Sequence, residues 1–152
     1  PEDPVNLYRS GEKVLFSGRV PRDFVAEVTL DFHGERNARD GGLLFRATEP
    51  SIGYDAQKAY FAGLIPGTQL VILGKTDGTH WQELARSKTR IDPDQPQHLQ
   101  LKVQGNQFAI FHNGKKTIEH SDSTHTQGRL GLRVVDTDAS FSKIVITPLA
   151  LR

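Results

Sequence analysis

Cysteine and methionine are both absent from the 152-residue chain. The first absence excludes disulfides, thiolate metal sites, iron–sulfur clusters and a cysteine nucleophile, and it leaves the redox compartment open. The second, in a chain that opens at Pro1, reads as processing or excision from something longer, with any signal segment lost from view. An excess of charge of one sign is missing too: 19 Lys and Arg stand against 18 Asp and Glu, a net +1. A nucleic-acid or anionic-membrane partner asks for a basic surplus, so no nucleic acid is expected. No apolar run approaches the ~18–20 residues that span a bilayer, and helical periodicity is almost absent.

What remains is β grammar in a chain of 36% hydrophobic residues, enough for one core. Leu99, Leu101 and Val103 alternate with His98, Gln100 and Lys102, the pattern of a half-buried strand. Gly105-Asn106 turns the chain into 108–111, and Asn113-Gly114 is a strong two-residue hairpin signal. Residues 97–120 therefore read as a three-stranded meander. Similar short runs at 24–32, 41–47, 59–65, 69–74, 81–86, 129–135 and 140–147 bring the count to about ten strands, separated by Gly, Pro and Asp. That pattern predicts a single all-β domain over 1–152, a sandwich or barrel, with residues 1–10 as a loose lead-in.

The common catalytic signatures do not occur. None of the six His falls in metal-ligand spacing, and there is no nucleophile elbow, phosphate loop or dinucleotide fingerprint. Asp136 and Asp138 form a close pair of carboxylates, but i, i+2 spacing in a turn suits a loop end or an oxygen-ligand site better than an acid/base pair. A binding role is favoured.

Several segments carry a resemblance. In order they are Gly-Gly-Leu-Leu-Phe-Arg-Ala-Thr (41–48), Gly-Tyr-Asp-Ala-Gln-Lys-Ala-Tyr-Phe-Ala-Gly-Leu (53–64), Leu-Gly-Lys-Thr-Asp-Gly (73–78), Trp-Gln-Glu-Leu (81–84), Leu-Gln-Leu-Lys-Val-Gln-Gly-Asn-Gln-Phe (99–108) and Gly-Arg-Leu-Gly-Leu-Arg-Val-Val-Asp-Thr-Asp-Ala-Ser-Phe (128–141). The series resembles the concanavalin A-like, laminin-G-like sandwich domains of bacterial glycoside hydrolases, and among them the fructan-binding modules of levanases. The resemblance implies a jelly-roll sandwich of two antiparallel sheets that binds an oligo- or polysaccharide, such as levan through its terminal sugars, without hydrolysing it. It also implies a covalently linked glycoside hydrolase as partner and a secreted or cell-surface location. Two alternatives stay open. Domains of the keto-disaccharide hydrolase type share the sandwich and are enzymatic, but typically carry Asn-Ser-Gly where this chain has Asp40-Gly41-Gly42. A ligand-free structural domain packed on a catalytic neighbour is the other.

A sugar site needs an aromatic face for the C–H side of the ring and charged or amide groups for the hydroxyls. Trp81, the only Trp, reads either as core or as such a platform. Tyr54 and Tyr60 suit a sandwich mouth, or bond their hydroxyls to backbone. With Leu43, Phe45 and Ala47 as the core layer, strict alternation sends Arg46 to the opposite face, and the same parity turns Arg133 away from Leu130, Leu132 and Val134. Glu49, Asp55 and Asp136 either accept hydroxyl hydrogens or pair with these arginines. By similarity to the levanase modules, Arg46, Glu49, Tyr60, Trp81 and Asp136 form the sugar cluster. The same similarity allows a structural Ca²⁺, with oxygen ligands from Asp136 or Asp138 and from Glu12 or Asp31.

Overall fold

The computed structural model describes residues 5–7, 13–18, 20–48 and 58–149. Among them twelve strands form: β1 (Val5–Leu7), β2 (Lys13–Leu15), β3 (Phe24–Asp31), β4 (Asp40–Thr48), β5 (Lys58–Ile65), β6 (Leu70–Asp77), β7 (Trp81–Lys88), β8 (Gln97–Gln104), β9 (Gln107–His112), β10 (Lys115–Ser121), β11 (Arg129–Val135) and β12 (Ala139–Pro148). Ten of them coincide with the runs that alternation predicts. The two extra strands have three residues each, too few for a period to register. One of them, β1, lies in the stretch expected as a loose lead-in and pairs with Ala139, Ser140 and Phe141.

All pairings are antiparallel and build two six-stranded sheets. The first runs β1-β12-β3-β8-β9-β10 and the second β2-β11-β4-β5-β6-β7. The meander over β8, β9 and β10 is present. Its Asn113-Gly114 turn has φ of 48° and 84° at the two central residues, the conformation that Asn and Gly adopt at least cost.

The sheets pack face to face. In β3, Phe24, Ala26, Val28 and Leu30 point inward and are buried, while the residues between them are half-exposed. They meet Leu43 and Phe45 of β4, Tyr60, Ala62 and Leu64 of β5, and Leu130, Leu132 and Val134 of β11. The outer faces of the two sheets differ. That of the first sheet is polar and partly wet, as an antiparallel sheet with one solvated face requires. In β4, β5 and β6 the burial is nearly continuous along the strand, so this sheet is apolar on both faces. A second cluster of Leu44, Ala47, Ala59, Phe61 and Ile72 occupies its outer side.

Strict alternation fails at one residue of consequence. The register of β4 shifts against β5 between Phe45 and Thr48, and against β11 between Arg129 and Gly131. Arg46, at the centre of this bulge, has φ of 51°. One extra residue on a bulged strand re-aims the side chains beyond it. Phe45 and Arg46 therefore both face inward, and Ala47 joins Leu44 outside. The expectation that Arg46 points away from the core, with Ala47 inside, is corrected by this bulge.

Candidate functional site

The apolar outer face of the second sheet ends in a hollow of about 330 Å³ lined by Ile65, Ile72, Trp81, Arg133, Asp40 and Glu83, with Arg39 at its rim. Trp81 is the first residue of the edge strand β7. Its half-buried indole lies across β6, over Gly74, where an added methyl group would overlap the ring. That glycine is the seat of the Trp. Phe61 meets the indole edge-on, with ring centroids 6.2 Å apart.

Arg133 supplies the polar half. The parity of β11 sends it to the outer face, as the sequence predicts. There its guanidinium carbon sits 3.9 Å from the Phe61 ring centre and 5.0 Å from that of Trp81. Asp40, buried on the adjacent strand β4, faces it at 3.5 Å. A guanidinium packed this close to two rings has little room to turn, which restricts the directions of its donors. Glu83, two residues after Trp81, is clamped by Arg86 through bonds of 2.9 and 2.7 Å. Arg39 bonds Asp136 at 3.2 Å, both being exposed. An aromatic plate flanked by fixed cations and carboxylates can hold an apolar ring face while exchanging hydrogen bonds with the hydroxyls around it.

The inward residues have other work. The Arg46 guanidinium, 3% exposed, donates to the carbonyl oxygens of His125 (3.1 Å), Arg22 (3.0 Å) and Gly105 (2.6 Å). It thereby ties three loops to one end of the sandwich, and burial pushes its pKa below the ordinary value. Tyr60 is buried in the main core against Phe45 and Phe108. Its hydroxyl donates to Asp122 at 2.5 Å and accepts the His125 backbone N–H at 3.0 Å. Lys75 completes the cluster with a 3.0 Å bond to Asp122. Burial works against the Asp122 charge, but donors from Tyr60, Thr124 and Lys75 outweigh it and hold its carboxyl below the usual range.

Burial, then the Asp122 bond, pushes the Tyr60 hydroxyl up to about 12. An unfolded tyrosine ionises near about 10. The stability this shift represents is complete below pH ~10 and is lost as pH rises toward 12. Tyr60→Phe is expected to lack that alkaline loss, and melting temperatures from pH 8 to 12 for both proteins check it.

The structure thus gathers Trp81 and Arg133 in one hollow and brings Asp136 to its rim through Arg39. It separates Arg46 and Tyr60 from them: both are interior, with their polar atoms, apart from Arg46 Nε, engaged by backbone and Asp122, and this corrects their placement at an open sugar cluster. The carboxylate beside Arg133 is Asp40. Glu49, Tyr54, Asp55 and Glu12 lie outside the described residues. Asp138 lies between β11 and β12, and Asp31 accepts the His33 N–H. Among the described residues no three His, Asp or Glu side chains gather as a cation site. Sequence reasoning missed Asp40, Arg39, Phe61 and Glu83. A signal for Phe61 was there: the near-continuous apolar run at 59–65 marks a strand with two buried faces.

Comparison with known proteins agrees with the sandwich. Levanase of Bacillus subtilis is 27% identical over 134 residues, 88% of this chain but only 19% of the levanase. The chain therefore spans about a fifth of that relative. Among solved structures, the carbohydrate binding module CBM66 from Bacillus subtilis superposes with a TM-score of 0.80 at 24% identity, covering 91% of this chain and 83% of that one. A galectin of Caenorhabditis elegans gives 0.61 at 14%, covering 90% and 95%. The fold is the concanavalin- and galectin-like sandwich. Asp40-Gly41-Gly42, in place of Asn-Ser-Gly, does not remove the chain from the keto-sugar group. With its family model matching residues 6–147, the chain belongs to the 3-keto-alpha-glucoside-1,2-lyase-like domain family.

Proposed function

We propose that the chain is a non-catalytic carbohydrate-binding module that holds an attached glycoside hydrolase against a polysaccharide, with the Trp81 hollow as its sugar site. The observation that carries this reading is the seated indole beside Arg133, with Asp40, Glu83 and Arg39 around one hollow. The sequence likeness to a levanase and the structural likeness to a carbohydrate binding module support it. Because the chain matches only a fifth of the levanase, the chemistry belongs to a neighbouring domain in this reading. A secreted or surface location goes with the same reading, since a polysaccharide lies outside the cell. Levan and related fructans, bound through a terminal sugar, are the first ligands to expect.

A shallow hollow on a sheet covers little of a sugar, so affinities between micromolar and millimolar are expected, about 4 to 8 kcal/mol. Calorimetry against levan, inulin, xylan and arabinan, with the supernatants assayed for released sugar, tests the proposal. Saturable binding to one polymer without product supports the module. Product release supports the enzymatic reading that the family's lyase-like name carries. Silence across the panel overturns the sugar site.

A further inference from the structure

A second hollow, of about 740 Å³, opens on another side of the molecule, at the seam where the edge strands β7 and β10 of the two sheets come together. Lys88, Arg90, Lys115 and Lys116 line it, and neither Asp nor Glu does. Lys116 is paired with Glu119 at 2.6 Å. The other three have no carboxylate partner among the described residues. In a chain of net charge +1, three cations around one concave surface that no Asp or Glu lines make a local positive potential that collects anions.

The floor of the cleft adds a second requirement. His112 is 3% exposed there, and its neighbours decide which ring nitrogen holds the proton. The Gln97 amide nitrogen donates to the carbonyls of Asp92 (2.8 Å) and Gln95 (3.0 Å), which leaves Gln97 Oε1 as an acceptor. That oxygen takes a hydrogen from Asn113 at 3.1 Å and one from His112 Nε2 at 2.7 Å. His112 Nδ1 is then bare and accepts the Thr89 hydroxyl at 2.5 Å. Burial lowers the His112 pKa and keeps the ring neutral, so this polarity persists at pH 7. Thr89 has spent its only hydrogen, and its oxygen can only accept. A bare sulfate ion or an ionised carboxylate has no hydrogen to offer it. A sugar hydroxyl does.

We propose that this cleft binds an acidic sugar residue, with its carboxylate or sulfate held by Lys88, Arg90 and Lys115 and a neighbouring hydroxyl donating to Thr89 Oγ1. The site is separate from the Trp81 hollow and stands whether or not that hollow binds a neutral sugar. The ligand class is an anionic polysaccharide.

Affinity electrophoresis and calorimetry with polygalacturonate, its carboxyl-reduced neutral form, κ-carrageenan and polyacrylate test it at two salt concentrations. An exposed charge contact is worth up to about fivefold in affinity. Three together predict that the acidic polymer binds on the order of tenfold tighter than its reduced form, and less tightly as salt rises. The exposed triple variant K88Q/R90Q/K115Q is expected to lose that difference with its melting temperature unchanged. T89V is expected to weaken polygalacturonate about threefold and leave polyacrylate alone. Tighter binding of carrageenan assigns the anion as sulfate, and tighter binding of polygalacturonate as carboxylate. Equal affinity for the acidic and reduced polymers overturns the proposal. So does a triple variant that binds as before, or polyacrylate binding as tightly as both acidic glycans with T89V indifferent.

Discussion

Trp81→Ala is expected to abolish measurable binding to whichever neutral polysaccharide the chain selects, while the sandwich stays folded. Truncating a central aromatic in a binding site costs about 2 kcal/mol or more, some thirtyfold, and an affinity that begins between micromolar and millimolar falls out of range. The fold survives because Trp81 lies on the outer side of an edge strand, against Gly74 and Phe61 and outside the main core. Removing it is expected to cost about 1 to 2 kcal/mol, a fall of several degrees in melting temperature. A large fall in melting temperature with sugar affinity unchanged would make Trp81 a packing residue and overturn the assignment. Gly74→Ala asks the same question without touching the indole. The three nearest atoms to its new methyl group all belong to the Trp81 ring, so the ring must leave its seat while the strands need not part. Affinity should fall, and the emission of the single tryptophan should shift to the red as the indole enters water.

The opposite result is expected for Arg46→Ala: a large loss of stability and no change in sugar affinity. Three carbonyl oxygens on three separate loops share this guanidinium. Leaving a buried acceptor without its donor costs about 1 to 3 kcal/mol each. Part is returned, because a buried cation with an unbonded Nε also disappears. A net loss of about 3 to 5 kcal/mol remains, on the order of 10 °C in melting temperature for a chain of this length. Arg46→Lys should fall between the two, since an ammonium is one point and cannot reach three directions at once. Binding is measured at low temperature, where the variant is still folded. A variant that melts like the wild type but no longer binds sugar would return Arg46 to the binding cluster.

The two arginines show how far residue patterns reach. Arg133 stands in a regular strand, and counting by twos from Leu130 and Leu132 places it on the outer face, where it is found. Arg46 stands in an equally regular run of residues, yet the same counting sends it to the wrong side. The bulge that turns it inward is a mismatch with the next strand, β5, and with β11 some eighty residues on, and the pattern within β4 does not record it. Tyr60 makes a related point. Its hydroxyl needs a partner in either reading, and only the path of the β10–β11 loop brings Asp122 and the His125 N–H to it.

The sequence alone determined the fold class, ten of the twelve strands and the hairpin at Asn113-Gly114, because period-two alternation and turn chemistry are properties of neighbouring residues. It also singled out Trp81 and Arg133. Tertiary structure decided which residues stand beside them. Asp40, Phe61, Gly74 and Glu83 come from four different strands and meet only through sheet register. The cationic cleft of Lys88, Arg90 and Lys115 belongs to the same category. Each of these residues looks like an ordinary surface charge in its own segment, and the seam between two edge strands makes them one site.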